Sequence, residues 1–177
     1  MRIRPTRIAG VAVLEYEVHA DERGGFARTF CADELAAAGL PFTVVQANLS
    51  TNIARHTLRG MHYQAPPHGE PKIVACTRGR ILDVAIDLRP HSPTYRAWEA
   101  IELAPGLGRA LHIGEGMAHG FLTLVADSHV TYLMGAPYVP GAAQGVRWDD
   151  PAIAIAWPAP PAVISERDAG YPLLGDT

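Results

Sequence analysis

The feature that most limits the fold of this chain is its punctuation. From Val11 to Met134 short apolar runs follow one another, each closed by Gly, Pro, Asp, Asn or a charged pair, and no helical period develops between them. Strands are expected over residues 11–18, 26–30, 44–50, 59–64, 72–77, 80–88, 98–103, 110–113, 120–125 and 129–134, with a late one over 153–157. Asp21-Glu22-Arg23-Gly24-Gly25 and Arg78-Gly79 read as turns. The one good helical signal, Asp33 to Ala38, is acidic at its start and is stopped by Gly39 and Pro41, which leaves room for a connector of about two turns. Many strands, no βαβ period and only short peripheral helices favour an all-β architecture, a barrel or double-sheet jelly roll. The 17 Gly and 15 Pro fit this reading because they are scattered among apolar runs rather than clustered.

At 177 residues the chain is expected to form one domain, residues 1–177, burying roughly 70% of its unfolded surface. A formal charge of -3 predicts no general affinity for nucleic acid or anionic membrane. Cys31 and Cys76 are the only cysteines, too few for a disulfide framework. The N-terminus lacks the apolar stretch of a secretory signal, so the cytoplasm is the expected compartment.

Chemistry concentrates in the segment Arg59-Gly60-Met61-His62-Tyr63-Gln64. On a strand, His62 and Gln64 share a face with Gly60, and the glycine is expected to leave room for a ligand beside the histidine. Lys72, Asp83, Asp87, His119 and Tyr132 also fall in strand-like segments where a dry barrel would prefer Ile or Val. Several inward polar groups of this kind are expected to line a ligand pocket. A histidine satisfied by one core hydrogen bond is the competing account of His62.

Residues 108–123 resemble the second motif of cupins, G-x5-P-x-G-x2-H-x3-N, with Gly114 in place of Pro and Thr123 in place of Asn. The resemblance implies a cupin-type jelly roll with His119 at its mouth. The first cupin motif supplies a His-x-His pair, whereas this chain offers His62 and then Gln64. Metal sites need three or four good ligands, and no metal is expected. A metal-free pocket holding a neutral histidine, a lysine and a tyrosine has the parts to remove a proton beside a ketone, hold the enolate and return a proton from the other face.

The segments DERGGF (21–26), QANLS (46–50), TLRGMHYQ (57–64), PKIVACTRGRILDVAIDLR (71–89), SPTY (92–95), EGMAHGFLTL (115–124), WDDPAIAIAWP (148–158) and ISERDAGYPLL (164–174) together resemble the dTDP-4-dehydrorhamnose 3,5-epimerase family. The resemblance implies a homodimeric jelly roll without metal or organic cofactor, acting on C3 and/or C5 of a nucleotide-linked 4-keto-6-deoxyhexose. By the same resemblance His62 is the proton-abstracting base, Asp168 its carboxylate partner, Lys72 the cation near the C4 oxygen and Tyr132 the opposite-face acid. Arg23 and Arg59 match phosphate-binding arginines. Phe26, Gln46, Asn48 and Tyr138 fall at substrate contacts, and His119 and Asp83 support the pocket. Read from the residues alone, Asp168 is equally a solvated turn residue, and Lys72 equally an ion-pair partner of Asp83.

Two positions depart from the family pattern. Arg28 stands where the family commonly has Glu, and Leu133 where it often has Lys. An arginine that reached the nucleotide base would suit the acceptor edge of cytosine or guanine better than thymine. A single-position epimerase on a CDP- or GDP-linked sugar is therefore one alternative, with a metal cupin and a non-catalytic sugar-nucleotide binder as the others.

Overall fold

A computed structural model gives the fold of residues 1–175. Thirteen strands and two short helices follow one another in the order β1 (Arg2–Pro5), β2 (Val11–Glu15), β3 (His19–Asp21), β4 (Gly24–Phe26), α1 (Ala32–Ala37), β5 (Gln46–Asn52), β6 (Leu58–Gln64), β7 (Lys72–Arg78), β8 (Ile81–Asp87), β9 (Trp98–Leu103), β10 (Arg109–Ile113), β11 (Met117–Thr123), β12 (Ser128–Met134), β13 (Ala143–Gly145) and α2 (Glu166–Ala169). They make a six-stranded sheet, β1-β2-β10-β7-β12-β5, facing a five-stranded sheet, β13-β6-β11-β8-β9, with β3 and β4 as a separate hairpin. All strand pairs within these sheets are antiparallel. The jelly-roll expectation holds. No helix among the described residues is long and apolar enough to cross a membrane.

Alternation along each strand sorts residues between three packed layers. Val13, Val74, Leu111 and Val130 from the six-stranded sheet meet Ile81, Ala85, Leu103 and Phe121 from the five-stranded one, forming the interior between the sheets. The outer face of the five-stranded sheet carries Met61, Val84, Ile86 and Ala118, and is covered by the C-terminal segment through Val146, Ile153, Ile155, Trp157 and Leu174. On the outer face of the six-stranded sheet, Leu14, Ile73 and Ala110 pack under Leu35 of α1 and Phe42. The helix, expected from its length to be a connector, also covers this face through Leu35.

Three expectations about elements need correction. Residues 153–157 alternate as a strand would, yet form none. Ala154 takes a left-handed φ of 53°, the Asp150 side chain accepts from the Ala152 and Leu174 N–H groups, and the Trp157 indole donates to the Trp148 carbonyl. These local bonds replace ladder bonds, and the segment works as an apolar lid. The expected strand at 26–30 ends at Phe26, and the one at 11–18 ends at Glu15, where the Tyr16 N–H turns to the Gly108 carbonyl.

Gly60 also has a different use from the one expected. It sits at φ 134°, and a Cβ there would lie 2.5 Å from the Gly120 Cα and 2.9 Å from the His119 carbonyl. The glycine makes no room for a ligand; it lets β6 and β11 touch backbone to backbone, beside the register shift between His119 and Phe121. Gly60→Ala is therefore expected to destabilise the fold by about 3 kcal/mol, from strained φ and overpacking together. Gly141→Ala, with nothing within 4 Å of the added carbon, is expected to change stability by less than about 0.5 kcal/mol. Urea unfolding of the two variants checks the contrast.

Candidate active site

At one end of the sandwich the interior changes from apolar to polar and opens as a cavity of about 350 Å³. Its walls come from both sheets. β5 contributes Gln46 and Asn48, β7 Lys72 and β12 Tyr132, while β6 contributes Arg59 and His62 and β11 His119. Tyr138 stands at the rim.

His62 lies opposite His119 in the β6–β11 register, and each histidine has its own carboxylate. His62 Nε2 is 2.8 Å from Asp168 Oδ1, across 106 residues of sequence. Asp168 is 5% exposed, and its second oxygen accepts the Gly60 N–H at 3.0 Å. Its own N–H donates to Ser165 Oγ, the N-cap of α2. Burial would raise the pKa of this carboxyl above the usual value, but the hydrogen bonds with His62, Gly60 and Ser165 together hold it lower. Asp168 is thus ionised and accepts a hydrogen bond from Nε2–H, which leaves Nδ1 of His62 with the free lone pair.

His119 Nε2 lies 2.8 Å from Asp83 Oδ1, with both side chains almost fully buried. Burial pushes the His119 pKa down, and Lys72 and His62 act in the same direction, against the pull of Asp83. The Tyr132 ring meets His119 edge to face, with centroids 5.8 Å apart. Burial, aided by Asp83 and opposed by Arg59, pushes the Tyr132 hydroxyl far above the ordinary phenol range. This phenol holds its proton at any ordinary pH.

Lys72 pairs with Glu70 at 2.7 Å, both side chains nearly buried, which corrects the expectation of a pair with Asp83. Glu70 itself lines the cavity, a role the sequence reading missed because Pro71 hides the two-residue alternation between Glu70 and Lys72. Arg59 donates through Nε to Asn52, and Gln46 to Asn48, so these two donors are held in place along the wall. Gln64 is spent structurally, donating to the His68 and Pro137 carbonyls and accepting the Val139 N–H, which fixes the loop that carries Tyr138. Arg167 is a second missed residue: it lines the cavity one position before Asp168.

Arg23, Phe26 and Arg28 are not brought to this cavity. They lie on or just after the β3–β4 hairpin, whose strands pair only with each other. Phe26 is 76% exposed, and Arg23 reaches only Asp21. Arg28 donates to Glu34 at 2.6 Å, beside the N-terminal ammonium that pairs with the same carboxylate. Among the described residues no three His, Cys, Asp or Glu side chains converge on one point.

A profile of the dTDP-4-dehydrorhamnose 3,5-epimerase family matches residues 5–176. The chain belongs to this family. It is 40% identical to a dTDP-4-dehydrorhamnose 3-epimerase from Streptomyces niveus over 99% of this chain and 85% of that relative. A dTDP-4-dehydrorhamnose 3,5-epimerase from Sinorhizobium fredii is 39% identical over 98% and 90%. Among solved structures, a 4-keto-6-deoxy sugar epimerase from the novobiocin biosynthetic gene cluster of Streptomyces spheroides superposes with a TM-score of 0.94 at 39% identity, covering 99% of this chain and 88% of that one. The all-β, cupin-like architecture of this epimerase family is therefore the architecture found here.

The lowered pKa of Asp168 makes a stability statement. Its contribution is fully present above the unfolded value of about 4 and is lost as pH falls through the lower folded value. Asp168→Asn is expected to cost about 2 kcal/mol at pH 7, with the gap to the parent protein closing toward pH 3. Urea unfolding across that range measures it; a gap independent of pH would contradict the ionised pair.

Proposed function

We propose that this protein epimerises a dTDP-linked 4-keto-6-deoxyhexose, of the dTDP-4-dehydro-6-deoxyglucose type, at C3, C5 or both, without a cofactor. One observation carries the reading: His62 stands on the five-stranded sheet and Tyr132 on the six-stranded sheet, so a base and a protonated acid face one cavity from opposite walls. A planar enolate between them is deprotonated from one side and reprotonated from the other, which is inversion.

In this mechanism Nδ1 of His62 takes the proton from the carbon next to the C4 ketone, and Asp168 stabilises the imidazolium that results. Lys72, steadied by Glu70, stabilises the negative charge that develops on the C4 oxygen. Tyr132 then delivers its proton to the opposite face of the carbon. His119 and Asp83 back the tyrosine, and Gln46, Asn48, Arg59 and Tyr138 bind the sugar nucleotide along the remaining wall. A homodimer fits the exposed β3–β4 hairpin: Arg23, Phe26 and Arg28 have no partner within the cavity of their own chain, and a second copy offers them one. Because the Arg28 donors are engaged by Glu34, the case for a cytosine or guanine nucleotide weakens, and dTDP is the carrier proposed. The unpaired thiols of Cys31 and Cys76 suit the cytoplasm.

The test is deuterium entry from D2O, read by NMR at C3 and C5 of the dTDP-, CDP- and GDP-linked 4-keto sugars. The dTDP sugar is expected to exchange fastest. His62→Asn is expected to lower that exchange by about 10³-fold while the dTDP affinity, by calorimetry, stays within about threefold. Wild-type exchange in His62→Asn would overturn the assignment of the base, and tighter binding of CDP or GDP would overturn the choice of nucleotide.

A further inference from the structure

His62 is held by a single hydrogen bond, to Asp168, and its side chain is 41% exposed. One hydrogen bond fixes a distance but lets a ring pivot about it. The second restraint is aromatic. Tyr171, three positions beyond Asp168, places its ring 5.8 Å from the His62 ring at an interplanar angle of 74°, an edge-to-face contact. The segment that brings the carboxylate to His62 therefore brings a wall against the same imidazole.

The sheet has made a seat for that wall. Gly145 on β13 is the residue paired with His62 on β6. A Cβ at Gly145 would overlap the Tyr171 ring, coming far closer than van der Waals contact to three of its carbons. Any other residue beside His62 would push the aromatic away. On the other side the Arg167 guanidinium lies 5.7 Å from the Tyr171 ring centroid, within the range of a cation–π contact. The phenol hydroxyl is buried and makes no well-formed hydrogen bond among the described residues, and the Arg167 charge acts on it. The ring is what is held, and the ring is what touches His62.

We infer that Tyr171, seated on Gly145 beneath Arg167, is a positioning residue that fixes the orientation of the His62 imidazole for proton abstraction. The inference rests on the reading of His62 as the base. Tyr171 belongs to none of the three core clusters, so its truncation leaves the packed layers in place.

The experiment compares Tyr171→Ala, Tyr171→Leu, Tyr171→Phe, Gly145→Ala and the double variant Gly145→Ala/Tyr171→Ala. Each is assayed for kcat and KM of deuterium exchange, for the pH profile of kcat, for thermal unfolding and for the imidazole NMR resonances of His62 in the free protein. Tyr171→Ala and Tyr171→Leu are expected to lose at least about tenfold in kcat with KM within about twofold, a displaced pH profile and shifted, broadened His62 resonances. Gly145→Ala is expected to reproduce this without removing any polar atom, and the double variant to be no worse than Tyr171→Ala alone, because both act through one contact. Tyr171→Phe, which keeps the ring, is expected to restore kcat and the resonances.

Unchanged His62 resonances and kcat in Tyr171→Ala and Gly145→Ala would overturn the inference. Loss of thermal stability with unchanged resonances would overturn it too, by reducing Tyr171 to packing. Should the parent protein turn over none of the keto sugars, the proposed function fails, and the resonances of His62 still decide the role of Tyr171.

Discussion

The Asp168 carboxylate is the tie on which the site depends. Its two oxygens hold the backbone of β6 at Gly60 and the side chain of β6 at His62, so one group fixes both the strand and the imidazole it carries. The tie also explains the long C-terminal excursion. After β13 the chain crosses the outer face of the five-stranded sheet, buries Ile153 there, and is locked by Asp150, whose oxygens accept the Ala152 and Leu174 N–H groups. Burying that apolar surface offsets the cost of ordering a segment with little secondary structure. What the ordering delivers is α2, and with it a carboxylate that no neighbouring strand could have supplied.

The same strands serve as core and as site because side-chain alternation keeps one face inward along their whole length. On β7 the inward series runs Lys72, Val74, Cys76, and on β12 Met134, Tyr132, Val130. In these series Lys72 and Tyr132 are the polar members at the cavity, and the other residues are apolar. The apolar end closes the sandwich, and at the polar end three ionisable side chains each have a carboxylate beside them: Lys72 has Glu70, His119 has Asp83 and His62 has Asp168. Unpaired, each charge would cost several kcal/mol in such a place.

What could be read from the sequence follows from how local each signal is. The strands from Gln46 to Met134 are legible because turn residues and period-2 alternation are properties of a few adjacent positions, and the structure moves their ends by only one to three residues. His62, Lys72, His119 and Tyr132 are legible as polar residues in apolar company. Asp168 is not, since no local pattern ties an aspartate to a histidine 106 residues away, and only the family resemblance pairs them. Residues 153–157 mislead for the converse reason: alternation reports that one face is buried, and a lid without ladder bonds buries one face as well as a strand does. Gly60 misleads because an absent side chain has two uses, making room for a ligand or for a neighbouring backbone. Which of them applies depends on Gly120, sixty residues away in the sequence and in contact in the fold.

The two walls of the cavity differ in environment as well as in position, and that difference assigns direction to the chemistry. His62, the proposed base, is partly open to solvent and bonded to an ionised carboxylate. Tyr132 is enclosed against neutral His119 with Asp83 behind it, which opposes the phenolate it would leave. A phenol so reluctant to ionise gives up its proton only to a group more basic than itself, and an enolate carbon is such a group while a ketone is not. The lysine between them narrows that gap by sharing the charge on oxygen. In the proposed mechanism an acid inert toward the resting substrate and reactive toward the enolate has the selectivity that inversion needs, and the burial of Tyr132 on the wall opposite His62 fits that role.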